Sequence, residues 1–142
     1  MKTIKQLSIL LENKPGMIRQ VCEVLQQNQI NILTLTLADT TQFGLLRFLV
    51  RDTAAAKNIL AKAGFTVIET DVLALPVPNV PGGLASLLNV LDGAGLNVEY
   101  MYAYTSGQGC DAVMIFRFDD PAAALTGLEK AGVATINIDG LA

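Results

Sequence analysis

The sequence predicts an α+β protein made of two copies of one βαββαβ unit, and three observations carry that reading. Short motifs recur at a fixed spacing, strand-like and helix-like apolar periods alternate in the same order in both halves, and turn residues mark matching joints. Asn13-Lys14-Pro15-Gly16 returns as Asn79-Val80-Pro81-Gly82, and Ile30-Asn31-Ile32 as Leu96-Asn97-Val98, both 66 residues on. Asp52, Ala54-Ala55-Ala56 and Lys62-Ala63-Gly64 return as Asp120, Ala122-Ala123-Ala124 and Lys130-Ala131-Gly132, now 68 residues on. The two extra residues fall where Ser106-Gly107-Gln108-Gly109 replaces Asp39-Thr40-Thr41-Gln42, and a turn is where an insertion costs least. The expected domains are residues 1–70 and 71–142.

Within the first copy, Leu7, Ile9 and Leu11 alternate with Gln6, Ser8 and Leu10, a strand stopped by Glu12-Asn13-Lys14-Pro15-Gly16. Met17, Ile18, Val21, Cys22, Val24 and Leu25 then follow helical spacing over Met17 to Gln29, with Arg19, Gln20, Glu23, Gln26 and Gln27 on the other face. Ile30 to Ala38 and Phe43 to Val50 read as a hairpin of β-branched and aromatic runs. Asp52 or Thr53 caps a helix over Ala54 to Ala63, Gly64 ends it, and Phe65 to Thr70 is the fourth strand. The second copy repeats the order: strand Val72 to Val77, helix Gly83 to Leu91, strands Leu96 to Thr105 and Cys110 to Phe118, helix Pro121 to Ala131, strand Thr135 to Ile138. Asp119-Asp120-Pro121 caps the last helix.

Right-handed crossovers turn βαββαβ into a ferredoxin-like sandwich, a four-stranded antiparallel sheet with both helices on one face. The other face is too apolar for water, because Phe43, Leu45 and Leu49 alternate with Leu46, Phe48 and Val50 on one strand. Side-by-side pairing of the two sandwiches plus homodimerisation would cover it.

Composition removes most other functions. A net charge of -3 and a pI near 4.8 argue against nucleic acid, which needs clustered Lys and Arg. No apolar stretch approaches the ~20 residues of a membrane span, and Met1 to Gln6 has no signal-peptide core, so the expected location is the cytoplasm, with no membrane partner. With no His in the chain, a Ser/His triad and a His-ligated metal are excluded. Cys22 and Cys110 are too far apart for a Cys-x-x-Cys site and read as small apolar residues, not disulfide partners. No cofactor, metal or catalytic residue is implied, and the reading is of a protein that is not an enzyme.

The chemistry therefore rests on the repeated loops. In each copy a strand runs into Asn-x-Pro-Gly, a helix starts, and an Asn opens the next strand. Pro fixes the turn, Gly permits close backbone approach, and the first N–H groups of the helix point outward at its positive dipole end. A small carboxylate fits there, and an Asn amide can add a contact to the carboxylate or ammonium of an amino acid.

On these motifs the chain resembles tandem ACT domains, the amino-acid-sensing regulatory module, over nearly its whole length. The resemblance implies a small ligand, often an amino acid, between the loop of one domain and the second strand of its partner. It nominates Asn13, Lys14, Pro15, Gly16, Met17, Asn31 and Ile32 in the first copy, and Asn79, Val80, Pro81, Gly82, Gly83, Asn97, Val98 and Tyr100 in the second. Family loops often begin with an acid where this chain has Asn13 and Asn79. Family members usually carry a catalytic or DNA-binding domain as well, and these residues leave no room for one. The expectation is a free-standing sensor, or alternatively a ligand-free regulatory subunit docking on a metabolic enzyme.

The copies are unequal. Val98, Tyr100, Tyr102 and Tyr104 are expected on one strand face where the first copy has Ile32, Thr34, Thr36 and Ala38. Met17 is replaced by Gly83, which is expected to leave room beside the second loop. Of two pseudo-equivalent crevices, loop Asn13 to Met17 facing the strand from Asn97 is favoured for an aromatic or apolar amino acid, because Tyr100 supplies contact area there.

Overall fold

The computed structural model describes residues 2–39, 42–104 and 111–141. The chain divides into two compact units, Lys5–Thr70 and Asp71–Ala142 with Met1–Ile4. The elements are β1 (Ile4–Glu12), α1 (Met17–Gln27), β2 (Thr34–Asp39), β3 (Phe43–Leu49), α2 (Thr53–Lys62), β4 (Val67–Pro78), α3 (Gly83–Gly93), β5 (Val98–Tyr104), β6 (Asp111–Phe118), α4 (Pro121–Lys130) and a 3-10 turn at Ile138–Gly140.

In the first unit the strands lie in the order β2-β3-β1-β4, with β3 antiparallel to both of its neighbours. Register places Leu7 opposite Phe48 and Ile9 opposite Leu46, so one face of the sheet presents these four side chains together. Val21 and Leu25 of α1 and Ala56 and Leu60 of α2 pack onto them to form the core. The strand β3, apolar on both sides, is thereby resolved: Leu46 and Phe48 face the helices, while Phe43, Leu45 and Leu49 point the other way.

The second unit repeats the plan with β5-β6-β4, and Ile136 bridging to Ala74 on the free side of β4. Leu73, Leu75 and Val77 of β4 meet Leu87 and Leu91 of α3, Ala124 and Leu128 of α4, and the stacked rings of Phe116 and Phe118. Two expected features differ. Val67 to Thr70 and Val72 to Val77 belong to the one twelve-residue strand β4, with Phe65 and Thr66 ahead of it, and its Asp71 is accommodated because Thr3 Oγ1 donates to its carboxylate at 3.0 Å and Arg117 Nη1 to its carbonyl at 3.2 Å. Thr135 to Ile138 forms a single bridge in place of a strand, since the chain turns at once into the 3-10 turn with Gly140 against Ile136.

Candidate functional site

Helices begin in two ways here. Asp52 and Asp120 cap α2 and α4, each carboxylate accepting from the backbone N–H three residues on, at 3.0 Å from Ala55 and 3.1 Å from Ala123. The Pro-Gly loops do the opposite. Gly16 and Gly82 precede α1 and α3 with φ of 89° and 84°, a left-handed conformation that a side chain strains, and neither helix has a side-chain cap.

The two loops share more than sequence. Lys14 N–H donates to Glu12 O as Val80 N–H does to Pro78 O, each at 2.9 Å. Gln20 N–H donates to Gly16 O as Ser86 N–H does to Gly82 O. In the first unit the loop is also tied to the hairpin turn, Asn13 N–H donating to Gln42 O at 2.9 Å. The same backbone frame thus presents an uncapped, electropositive helix start in both copies.

Their side chains differ in chemistry. Around the first loop Lys14 pairs with Glu12 at 3.1 Å, and Arg19 pairs with Glu23 at 2.7 Å while its guanidinium lies over Gly16. At the matching places the second loop carries Val80 and Pro78, both uncharged.

Asn31 and Asn97 are exposed at the opposite end of each unit from its loop. The eleven residues of α1 separate Gly16 from the segment leading to Asn31 by roughly 16 Å. One repeat therefore does not bring its own Pro-Gly loop and its own Asn together. Asn31 lines two neighbouring concavities of about 420 and 210 Å³, the first shared with Cys22 and the second with Arg51. Met17 and Ile32 pack, half-buried, against the first core and Val98 against the second.

Two expectations about the second copy are corrected. Val98 does not share a face with the tyrosines: a β-bulge between Val98 and Tyr100 shifts the register, so that Val98 pairs Phe118 on the core side while Tyr100, Tyr102 and Tyr104 stand opposite Arg117, Ile115 and Val113 on the other face. The extra residue is Glu99, whose carboxylate lies 3.5 Å from Arg117 Nε. Gly83 does not open space either. It is buried, and a Cβ there would overlap the Pro78 carbonyl, so the room left by the missing Met side chain is filled by backbone.

The second loop instead borders a concavity of about 440 Å³ walled by Pro76, Pro78, Val80, Leu87, Val90 and Val133, with Ser86 at its side. Of the candidate residues, Val80, Pro81, Gly82 and Gly83 line it, and Asn79 precedes it. Pro76, Pro78, Ser86, Leu87, Val90 and Val133 were not nominated from sequence; the clustering of three of the chain's five prolines within residues 76–81 is the signal that marks the place. Among the described residues no cluster of acids or thiols could hold a metal, and no helix is long and apolar enough to cross a membrane. Cys22 is a free thiol, and Cys110 lies outside the described residues, as does the two-residue insertion.

The sequence profile of the ACT domain pair matches residues 2–133. A crystal structure of a protein from Bacteroides thetaiotaomicron is 36% identical, with 99% of this chain and 96% of that one covered and a TM-score of 0.91. The ligand-free regulatory subunit of aspartate kinase from Thermus thermophilus is 18% identical, with 92% and 93% covered and a TM-score of 0.66. The corresponding Thermus flavus subunit is 17% identical, with 93% and 94% covered and a TM-score of 0.59. These two likenesses are of fold. No curated protein matches the chain.

Proposed function

The chain belongs to the ACT domain pair family, and from that membership we propose that it is a non-catalytic regulatory protein whose two repeats, residues 1–70 and 71–142, sense a free amino acid. One observation supports this above others: both repeats hold the same uncapped helix start behind a left-handed glycine, while the other two α-helices among the described residues are capped by Asp. Leaving a helix uncapped forgoes about 1 kcal/mol of stability, and doing so at equivalent places twice fits a seat kept for an anionic group. The amino acid's carboxylate sits at that seat. Because α1 and α3 each hold their loop away from the Asn that comes after it, the Asn contact comes from a different repeat, Asn97 or Tyr100 facing loop Asn13–Met17 and Asn31 facing loop Asn79–Gly83.

A melting screen against the free amino acids tests this directly. Ligand at about 100 times its Kd is expected to stabilise the native state by roughly 2.7 kcal/mol; a melting temperature unmoved by all twenty rejects amino-acid sensing.

An exposed apolar face supports self-association over docking on a metabolic enzyme. Leu10 (61% exposed), Ile68 (59%) and Phe43 (41%) lie with Leu45 on the face of the first sheet turned away from its helices. We assign this patch to a second copy of the chain. Sedimentation at micromolar concentration is expected to give twice the 15.1 kDa chain mass, and Phe43→Asp to halve it; a monomeric wild type removes the homodimer and leaves the patch to a different partner.

A further inference from the structure

We infer that the concavity beside the second loop selects the side chain of the ligand, and that this side chain is aliphatic. The inference rests on the amino-acid reading above and adds to it the chemical class of what is bound. The hollow is about 440 Å³, within the range of small-molecule sites. Among the described residues no ionisable side chain lines it. Its hydroxyl, on Ser86, already donates to Gly82 O at 3.0 Å, so the walls that remain are those of Val80, Leu87, Val90, Val133 and the prolines. With the helix start at Gly82 and Gly83 taken by the ligand's own carboxylate, a charged side chain entering there gives up hydration and meets no charged partner, whereas a branched aliphatic one loses nothing polar.

The first copy shows that this is a property of the second loop and not of the fold. Where Pro78 and Val80 stand, the first loop has Glu12 and Lys14 joined as an ion pair, and where Ser86 stands it has Gln20. The backbone frames match through the hydrogen bonds to Glu12 O and Pro78 O. The two copies share the helix start and differ in its surroundings, charged in the first and apolar in the second. Although Tyr100 favours the loop at Asn13 in the sequence, the hollow places side-chain selection at the loop from Asn79.

Calorimetry with leucine, aspartate and lysine, on the wild type and on three variants, tests the inference. Leucine is expected to bind at least tenfold more tightly than either charged amino acid. Val80→Lys, which copies the first loop at an exposed position, and Ser86→Leu, which fills the hollow from a helix surface, are each expected to weaken leucine at least tenfold. Gln20→Leu, the same kind of change in the first copy, is expected to change it less than twofold. A charged amino acid that binds more tightly than leucine, or leucine binding untouched by Val80→Lys and Ser86→Leu, overturns the inference and leaves amino-acid sensing standing. Isobutanol probes the hollow without any amino acid: it is expected to move the methyl NMR signals of Val80, Val90 and Val133, and not to do so in Ser86→Leu. Unmoved signals in the wild type overturn the inference. Moved signals in a protein that binds no amino acid keep the aliphatic hollow and overturn the sensing role.

Discussion

Gly83→Ala is expected to destabilise the protein by about 3 kcal/mol or more, the cost of overpacking against a neighbour that cannot rotate away. The added methyl would overlap the Pro78 carbonyl oxygen and lie 3.1 Å from the carbonyl carbon. Neither atom is the end of a flexible side chain. Relief needs the end of β4 and the start of α3 to separate, which pulls on the Gly83 N–H to Val80 O bond and tilts Leu87 and Leu91 out of the second core. Gly82→Ala, one residue earlier, is the control. Among the described residues, beyond its chain neighbours, nothing lies within 4 Å of a Cβ there, so only the left-handed backbone at φ 84° is strained, at about 1–2 kcal/mol. Urea unfolding measures both, and a Gly83→Ala protein as stable as Gly82→Ala would mean that the loop does not close on the helix as described.

That contrast shows what a single sequence discloses. The βαββαβ order, the two Asp caps and the Pro-Gly loops were legible because each is local: periodicity over one element, an acid three residues before an N–H, a glycine where φ is positive. The same local reading mistook Gly83 for open space, because a missing side chain says nothing about which backbone moves in to replace it. It also put Val98 beside the tyrosines, since alternation is counted along one strand while a bulge is set by the partner strand's register. The segment from Thr135 alternates like a strand, yet its pairing is cut short by the residues just beyond it, and a turn at Gly140 leaves only the Ile136 bridge. Of the candidate site, the paired Pro-Gly helix starts were written in the motifs. The hollow beside it was not, because Val133 comes from beyond α4 and reaches the loop only in the folded unit.

If the seat is an open helix start, a fixed negative charge placed in it should exclude the ligand without unfolding the protein. Gly82→Asp and Gly16→Asp each put a carboxylate beside the first N–H groups of α3 or α1, where the helix dipole favours it by about 0.3–1 kcal/mol and partly offsets the strain of a left-handed residue. Asp and Asn tolerate that conformation better than other side chains, so Gly82→Asn and Gly16→Asn supply the same shape without the charge. Stability within each Asp and Asn pair is expected to agree to about 1 kcal/mol. Amino-acid binding is expected to fall at least tenfold further for Asp than for Asn at the occupied loop, because the ligand's carboxylate then meets a like charge at close range. The four variants also report which loop is used. A deficit confined to position 82 places the carboxylate beside the aliphatic hollow, and one confined to position 16 places it under Arg19, whose guanidinium would add a second cationic contact. Equal binding by the Asp and Asn variants at both positions would show that no anion sits at either helix start, whatever the melting screen returns.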